Sequence, residues 1–273
     1  MIPGLSIGAE PALLRVLVPE VTSLTRQHYA ALPYLLMNGR DAESHALGLR
    51  HVGGPEIVIA VTDAARPVGA ISVQTAQPGT LLFLDNRTWS GTLTAAIRVL
   101  GANCALIFND IGDGFVAFGD VFLRSHRQVL FWGAGATAVG MSLEMQGDGV
   151  AAAIGDDALV SSGVWLRNHD MHALHDLASV ARINRTPAET IIERHVWLGQ
   201  DALLLGCERI GMGSVIGARA LVRGCVPRHV IAAGIPARVL REGVSWGRDL
   251  GGISAAERHA IGADVVAPHP AGP

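Results

Sequence analysis

From residue 192 onward, aliphatic side chains return at every sixth position: Ile192, Leu198, Leu204, Ile210, Ile216 and Val222. Glycine follows three of them, at Gly199, Gly211 and Gly217. Four places after each stand Val196, Ala202, Glu208, Ser214, Ala220 and Val226, small or β-branched in all but one case. The same register runs upstream through Ile154, Val160 and Leu166, with Ala158 and Val164 in the second position. An earlier start at Ile111, Ala117, Leu123 and Val129 is expected, with 129–153 less regular. An α-helix repeats at 3.6 residues and a strand at 2, so neither produces this spacing. A chain that turns a corner every six residues does, with the aliphatic inside, the small residue filling the corner and glycine relaxing the turn. Three such segments close a triangular coil of about 18 residues, and coils stack by β-hydrogen bonds at roughly 4.8 Å. The expected fold is therefore mainly β, a hexapeptide parallel β-helix. Cys207 and Cys225 are expected one coil apart on one face.

The repeat is interrupted once. From Leu166 to Ile192 is 26 residues, not a multiple of six, which implies a loop of about twenty residues, about 168–190, extruded from the solenoid. After Val226 comes "PRHVIAAGIPARVLREGVSWGRDL", read as a turn and a short helix, and "VVAPHPAGP" reads as a frayed tail. The first hundred residues have another texture. "EIVIAVT" and "VGAISVQ", separated by "DAARP", look like a hairpin, and Pro33 breaks helical stretches before them. The expected organisation is an N-terminal α+β cap over 1–80, the β-helix over 81–232, and a C-terminal helix and tail over 233–273.

The chain of 273 residues is 49% hydrophobic and 16% charged, ample for one large core, and its formal charge of −3 gives no footprint for nucleic acid. No basic-then-apolar leader opens it, and Gly, Pro or polar residues break every apolar run, so a cytoplasmic protein without a membrane span is expected. Three cysteines match no zinc spacing and suit buried thiols in a reducing compartment. "WGAGATAVG" lacks a surrounding βαβ unit, and the "NRT" sequons at 86 and 184 are idle in the cytoplasm.

The start of the extruded loop, "RNHDMHALHD", carries His169, His172 and His175 among Asp170 and Asp176. Such a stretch holds a metal, moves protons or does nothing. "IIERHVWLGQDALLLG", "IGMGSVIGARALV" and "AAGIPARVLRE", in that order after such a loop, resemble the hexapeptide-repeat acyltransferases. The likeness is to their galactoside, xenobiotic and capsular-polysaccharide O-acetyltransferase branch, and it covers about 150–246. The resemblance implies a left-handed β-helix, a homotrimer and acetyl-coenzyme A as co-substrate. It also implies transfer of an acetyl group to a hydroxyl, with an amine as second choice, of a sugar, nucleotide sugar or oligosaccharide. In the family a histidine at the start of the loop is the general base, and here the match is His172. Imidazole, with a pKa near 6.5, is free base at neutral pH and can take the proton of an attacking alcohol. His169, His175, Asp170 and Asp176 are possible support, either carboxylate being a candidate to orient the ring.

By the same resemblance Trp197 lies beside the acyl groove, Gln200 and Ala218 occupy matching positions along it, and Arg223, Arg238 and Arg241 hold the coenzyme phosphates. Two departures stand out. The basic residue of the terminal turn falls one place early, at Arg223 with Gly224 behind it, and the acceptor-site Asn of galactoside-type relatives is missing, with Ser142 nearest. Two other readings are a zinc enzyme like the γ-carbonic anhydrases, which share the solenoid, and a non-catalytic assembly module. The position five after His195 is Gln200 rather than a second histidine, and no metal is expected.

Overall fold

The computed structural model describes residues 9–262 except 249 and 254. Three parallel ladders wrap one core and make a three-sided prism. The first face runs through Ile57–Val61, Thr80–Leu84, Ala105–Phe108, Val129–Trp132, Ala151–Ile154 and Glu189–Ile192. The second runs through Leu159–Val160, Trp197–Leu198, Val215–Ile216 and Val230–Gly234, upstream of which lie the opening residues of Phe115–Leu123 and Thr137–Met145. The third begins at Leu49–Gly53 and Gly69–Thr75 and continues to Val164–Arg167, 203–205 and 221–223.

Every aliphatic named in the six-residue register from 154 to 222 is inside and fully buried. Corners are made by residues with positive φ: Asp157, His195 and His229 at one, Asp201 and Arg219 at another, with φ between 54° and 59°. Each is held by donating its N–H to a carbonyl of the previous coil, as from Asp201 to Ser162 and from Arg219 to Gln200. One corner demands glycine on two counts: Gly163 has φ +72°, and a Cβ there would stand 2.2 Å from Oδ1 of Asp201.

Several expectations need correction. Glu208, the polar exception, does not fill its corner. Gly206 adopts positive φ, and Cys207 turns in and is buried instead. The next coil is shorter, with Arg209 paired to Cys225 and Ile210 to Val226, so Cys225 points outward and the two thiols do not share a side. Burial pushes the Cys207 thiol up to about 12, which makes it inert. Upstream the coils are wider, pairing residues 24 apart (Leu81 with Ala105, Ala105 with Val129). The six-residue register slips there: Val116 and Leu130 face the main core rather than Ala117 and Val129.

The expected hairpin also dissolves. Ile57–Val61 lies on the first face beside Thr80–Leu84, and Gly69–Thr75 lies on the third between Leu49–Gly53 and Thr92–Val99, all parallel. Coils therefore start near Leu49 rather than at 81. "DAARP" is a corner instead, held by the Asn86 carboxamide, which donates to the carbonyls of Asp63 and Arg66. At the other end, residues 230–242 form an antiparallel hairpin, Val230–Gly234 with Ala237–Glu242, and the short helix lies later, at Ala255–Ala260. The aliphatic run of 230–232 extends the parallel ladder onto Val215–Ile216, which outweighs any helical preference. The tail "VVAPHPAGP" falls outside the described residues.

The first face is covered. Helices Glu10–Val16 and Arg26–Ala31 bury Leu13, Val16 and Tyr29 against Phe83, Ile107, Phe131 and Ile191, a second apolar cluster outside the prism. Tyr29 donates its hydroxyl proton to Asn109 at 2.6 Å. That leaves the second and third faces, and the loop between the third and the first, for function.

Candidate active site

Ile154 pairs with Ile192 in the ladder, 38 residues on where Ile192 to Ile210 takes 18, so the loop extruded between Arg167 and Glu189 is about twenty residues long. It leaves the corner where the third face meets the first. His169, at its root, is buried, with Nδ1 accepting the Met171 N–H at 3.0 Å. Burial, more than the neighbouring charges, holds its pKa below the usual imidazole range, so it is neutral at pH 7. Among the described residues its Nε2 has no hydrogen-bond partner, and the ring is buried under the loop.

His172 is on the loop surface. Its backbone is fixed: the N–H bonds the Asp170 carbonyl at 2.8 Å, and its own carbonyl accepts from Asn184 Nδ2 at 2.8 Å. Among the described residues no side chain bonds the ring, which stands free to meet a substrate. Neither aspartate orients it. Asp170 accepts from Asn184 at 3.1 Å and pairs with Arg223 at 3.5 Å. Asp176 closes a turn further out, accepting from the Ser179 N–H at 2.7 Å, and those bonds hold its carboxyl below the usual range. His175 Nδ1 lies 3.0 Å from the Val180 carbonyl. Arg223 therefore stands with the loop rather than beside the other coenzyme candidates.

Those candidates lie elsewhere on the prism. Trp197 projects from the second face, 37% exposed, and donates Nε1–H to Ser161 Oγ at 3.3 Å. Gln200 and Ala218 are exposed on successive coils beside it, in line with the pairing of Leu198 and Ile216. Arg238 and Arg241 are exposed on the terminal hairpin that prolongs this face, and neither makes an ion pair among the described residues. The second face is opposite the corner that emits the loop. One chain thus carries the histidine group and the tryptophan group on opposite sides. Ser142, nearest the missing Asn, is half-buried on the third face and accepts the Asp120 N–H at 3.3 Å.

One feature beside Trp197 was not legible in the sequence. The segment after the hairpin folds back, and Trp246 stacks on His195 with ring centroids 4.3 Å apart and planes at 10°, its own ring 6.1 Å from Trp197. Trp246 donates Nε1–H to the His195 carbonyl, and His195 Nδ1 lies 2.6 Å from Asp157. Burial alone would raise Asp157, but the bonds from His195 and Arg248 hold it below the usual carboxylate range. His195 is therefore a structural corner residue. No group of three or more His, Cys, Asp or Glu able to hold a metal ion occurs among the described residues.

No protein-family model matches the chain. Curated relatives do. Over 174 residues it is 26% identical to the lipopolysaccharide biosynthesis O-acetyl transferase WbbJ of Escherichia coli K12, which covers 53% of this chain and 82% of that one. Over 97 residues it is 35% identical to the galactoside O-acetyltransferase of the same organism, 35% of this chain and under half, 46%, of that one. In structure it matches the polySia-specific acetyltransferase NeuO with a TM-score of 0.59 at 24% identity, covering 73% of this chain and 81% of that one. The fold is thus a left-handed parallel β-helix. In motif order, fold and relatives the chain is similar to the hexapeptide-repeat O-acetyltransferases.

Proposed function

We propose that the chain transfers an acetyl group from acetyl-coenzyme A to a hydroxyl of a sugar or glycan, at sites completed between copies of a cytoplasmic homotrimer. His172 takes the proton of the acceptor hydroxyl as its oxygen attacks the thioester carbonyl. A backbone N–H stabilises the oxyanion, the coenzyme thiolate leaves, and the imidazolium returns the proton to it, so no acyl-enzyme is needed. Trp197, Gln200 and Ala218 line the donor groove, and Arg238 and Arg241 meet the coenzyme phosphates.

The observation that carries this reading is the split of the site. His172 and Trp197 cannot face one substrate within one prism, whereas the loop of one copy laid against the second face of the next brings them together. The loop is shaped for that, since it exposes Leu174, Leu177, Val180 and Ile183, with Leu177 97% exposed. An apolar series of this kind on a soluble surface marks a contact. The relatives' acceptors, galactosides and sialic acid polymers, suggest the substrate class. They do not favour the zinc enzyme or the inert module.

The test is thiol release from acetyl-coenzyme A with galactosides, polysialic acid, nucleotide sugars and lipopolysaccharide sugars as acceptors. Turnover with at least one, reduced roughly 100-fold or more in His172→Ala, is expected. Turnover by His172→Ala at the wild-type rate, or failure of every acceptor in the panel to support thiol release, would overturn the reading.

A further inference from the structure

Asn184 opens an "NRT" sequon, yet its carboxamide is fully occupied inside the protein. Nδ2 donates to Asp170 Oδ2 at 3.1 Å and to the His172 carbonyl at 2.8 Å. Oδ1 accepts the Leu174 N–H at 2.9 Å and Nε–H of Arg182 at 3.1 Å. Both nitrogen partners are pure acceptors and both oxygen partners pure donors, so the amide has only one sensible orientation. Three of the four partners, residues 170, 172 and 174, belong to the turn that carries His172. Asn184 itself lies on the returning leg of the loop, and a backbone bond from the Ile183 N–H to the Leu174 carbonyl runs beside it.

An exposed loop with so few apolar anchors would sample many conformations, and fixing its backbone costs roughly 1–2 kcal/mol per residue. One side chain tying three alternate residues of the turn to the opposite leg supplies a local remedy. The tie continues into the rigid solenoid, because Asp170 also pairs with Arg223, whose backbone sits in the third-face ladder.

We propose that Asn184 is the positioning residue of the general base: it clasps the two legs of the loop and, through Asp170 and Arg223, fixes the turn bearing His172 relative to the prism. The inference rests on the acyl-transfer reading given above, and the role assigned to Arg223 is positional rather than coenzyme-binding.

The experiment uses the full chain and acetyl-coenzyme A with water as acceptor, which removes dependence on the unidentified sugar. Asn184→Ala and Asn184→Asp, the latter keeping the acceptor oxygen and losing both donors, should lower kcat for hydrolysis roughly 10- to 100-fold. KM for acetyl-coenzyme A should stay within about twofold, with unchanged circular dichroism. The double variant His172→Ala/Asn184→Ala should be no slower than His172→Ala alone, because the clasp acts only through the base. A wild-type rate in Asn184→Ala while His172→Ala is inactive, or additive losses, would overturn the clasp and leave the enzyme reading standing. A second readout needs no turnover: tryptic cleavage after Arg182 and Arg185 should be at least about tenfold faster in Asn184→Ala than in the wild type. Equal cleavage rates overturn the clasp. If the wild type does not hydrolyse acetyl-coenzyme A, the proteolysis result decides the clasp by itself, and the enzyme reading is decided by the acceptor panel.

Discussion

The 18-residue coils and the loop they extrude are built from one sequence by opposite means. Between 154 and 222 a buried aliphatic stands at every sixth position outside the loop, and each strand is hydrogen-bonded to coils above and below. From 171 to 183 every residue is exposed, and order comes from a few backbone bonds, such as that from Ile183 to Leu174, and from side chains bonding backbone, Asn184 across the legs and Asp176 within a turn. Burial is shared among many residues and tolerates drift, whereas polar clasps concentrate order in one or two side chains. In the reading proposed above, the chemistry sits on the clasped part, where a ring can meet substrate, and Arg223 ties that part to the solenoid.

That contrast can be broken in several ways, the largest effect first. His172→Ala should reduce transfer about 100-fold or more while the melting temperature moves by no more than a degree or two. Leu198→Ala should do the reverse, costing about 2–5 kcal/mol in denaturant unfolding with little change in turnover per folded molecule. Arg238→Ala combined with Arg241→Ala should raise KM for acetyl-coenzyme A roughly tenfold with kcat nearly unchanged, and Arg223→Ala should lower kcat instead. Leu177→Ser should leave intramolecular stability within about 0.5 kcal/mol but weaken association in sedimentation.

The smallest effect concerns pH. His51, His169 and His229 are held below the usual imidazole range, chiefly by burial, with Arg40 adding to it at His51. The unfolded chain then binds more protons than the native one below about pH 6.5. Stability should be level above pH 7 and decline as pH falls from there toward the depressed native values, as read from urea midpoints between pH 5 and 8.

Much of this was legible in the sequence, and the reason is periodicity. Where a coil takes 18 residues, Ile192 to Val222, spacing alone gives the inward positions, and the 26-residue gap gives the loop. Where coils widen to 24 residues, as between Leu81 and Val129, the extra corner residues erase the six-residue signal, and parallel strands such as Ile57–Val61 and Gly69–Thr75 pass for a hairpin. The terminal hairpin was hidden for a related reason: short aliphatic runs without period fit helix and strand alike. Residue types pointed to His172 and Trp197, but nothing in the linear order says that they face opposite ways. Asn184 and Trp246 act through long-range bonds to 170–174 and to His195, which no spacing rule could announce.

The central claim is that the histidine of one copy serves the second face of another. Chains carrying His172→Ala should be co-expressed with chains carrying Trp197→Ala, Arg238→Ala and Arg241→Ala together, and assayed at acetyl-coenzyme A well below KM, where each alone is strongly impaired. Among trimers assembled at random from equal amounts of the two chains, pure ones included, about one interface in four unites an intact loop with an intact face, so thiol release should return to roughly a quarter of the wild-type rate. Activity no higher than that of either parent, in assemblies shown to contain both chains, would contradict it.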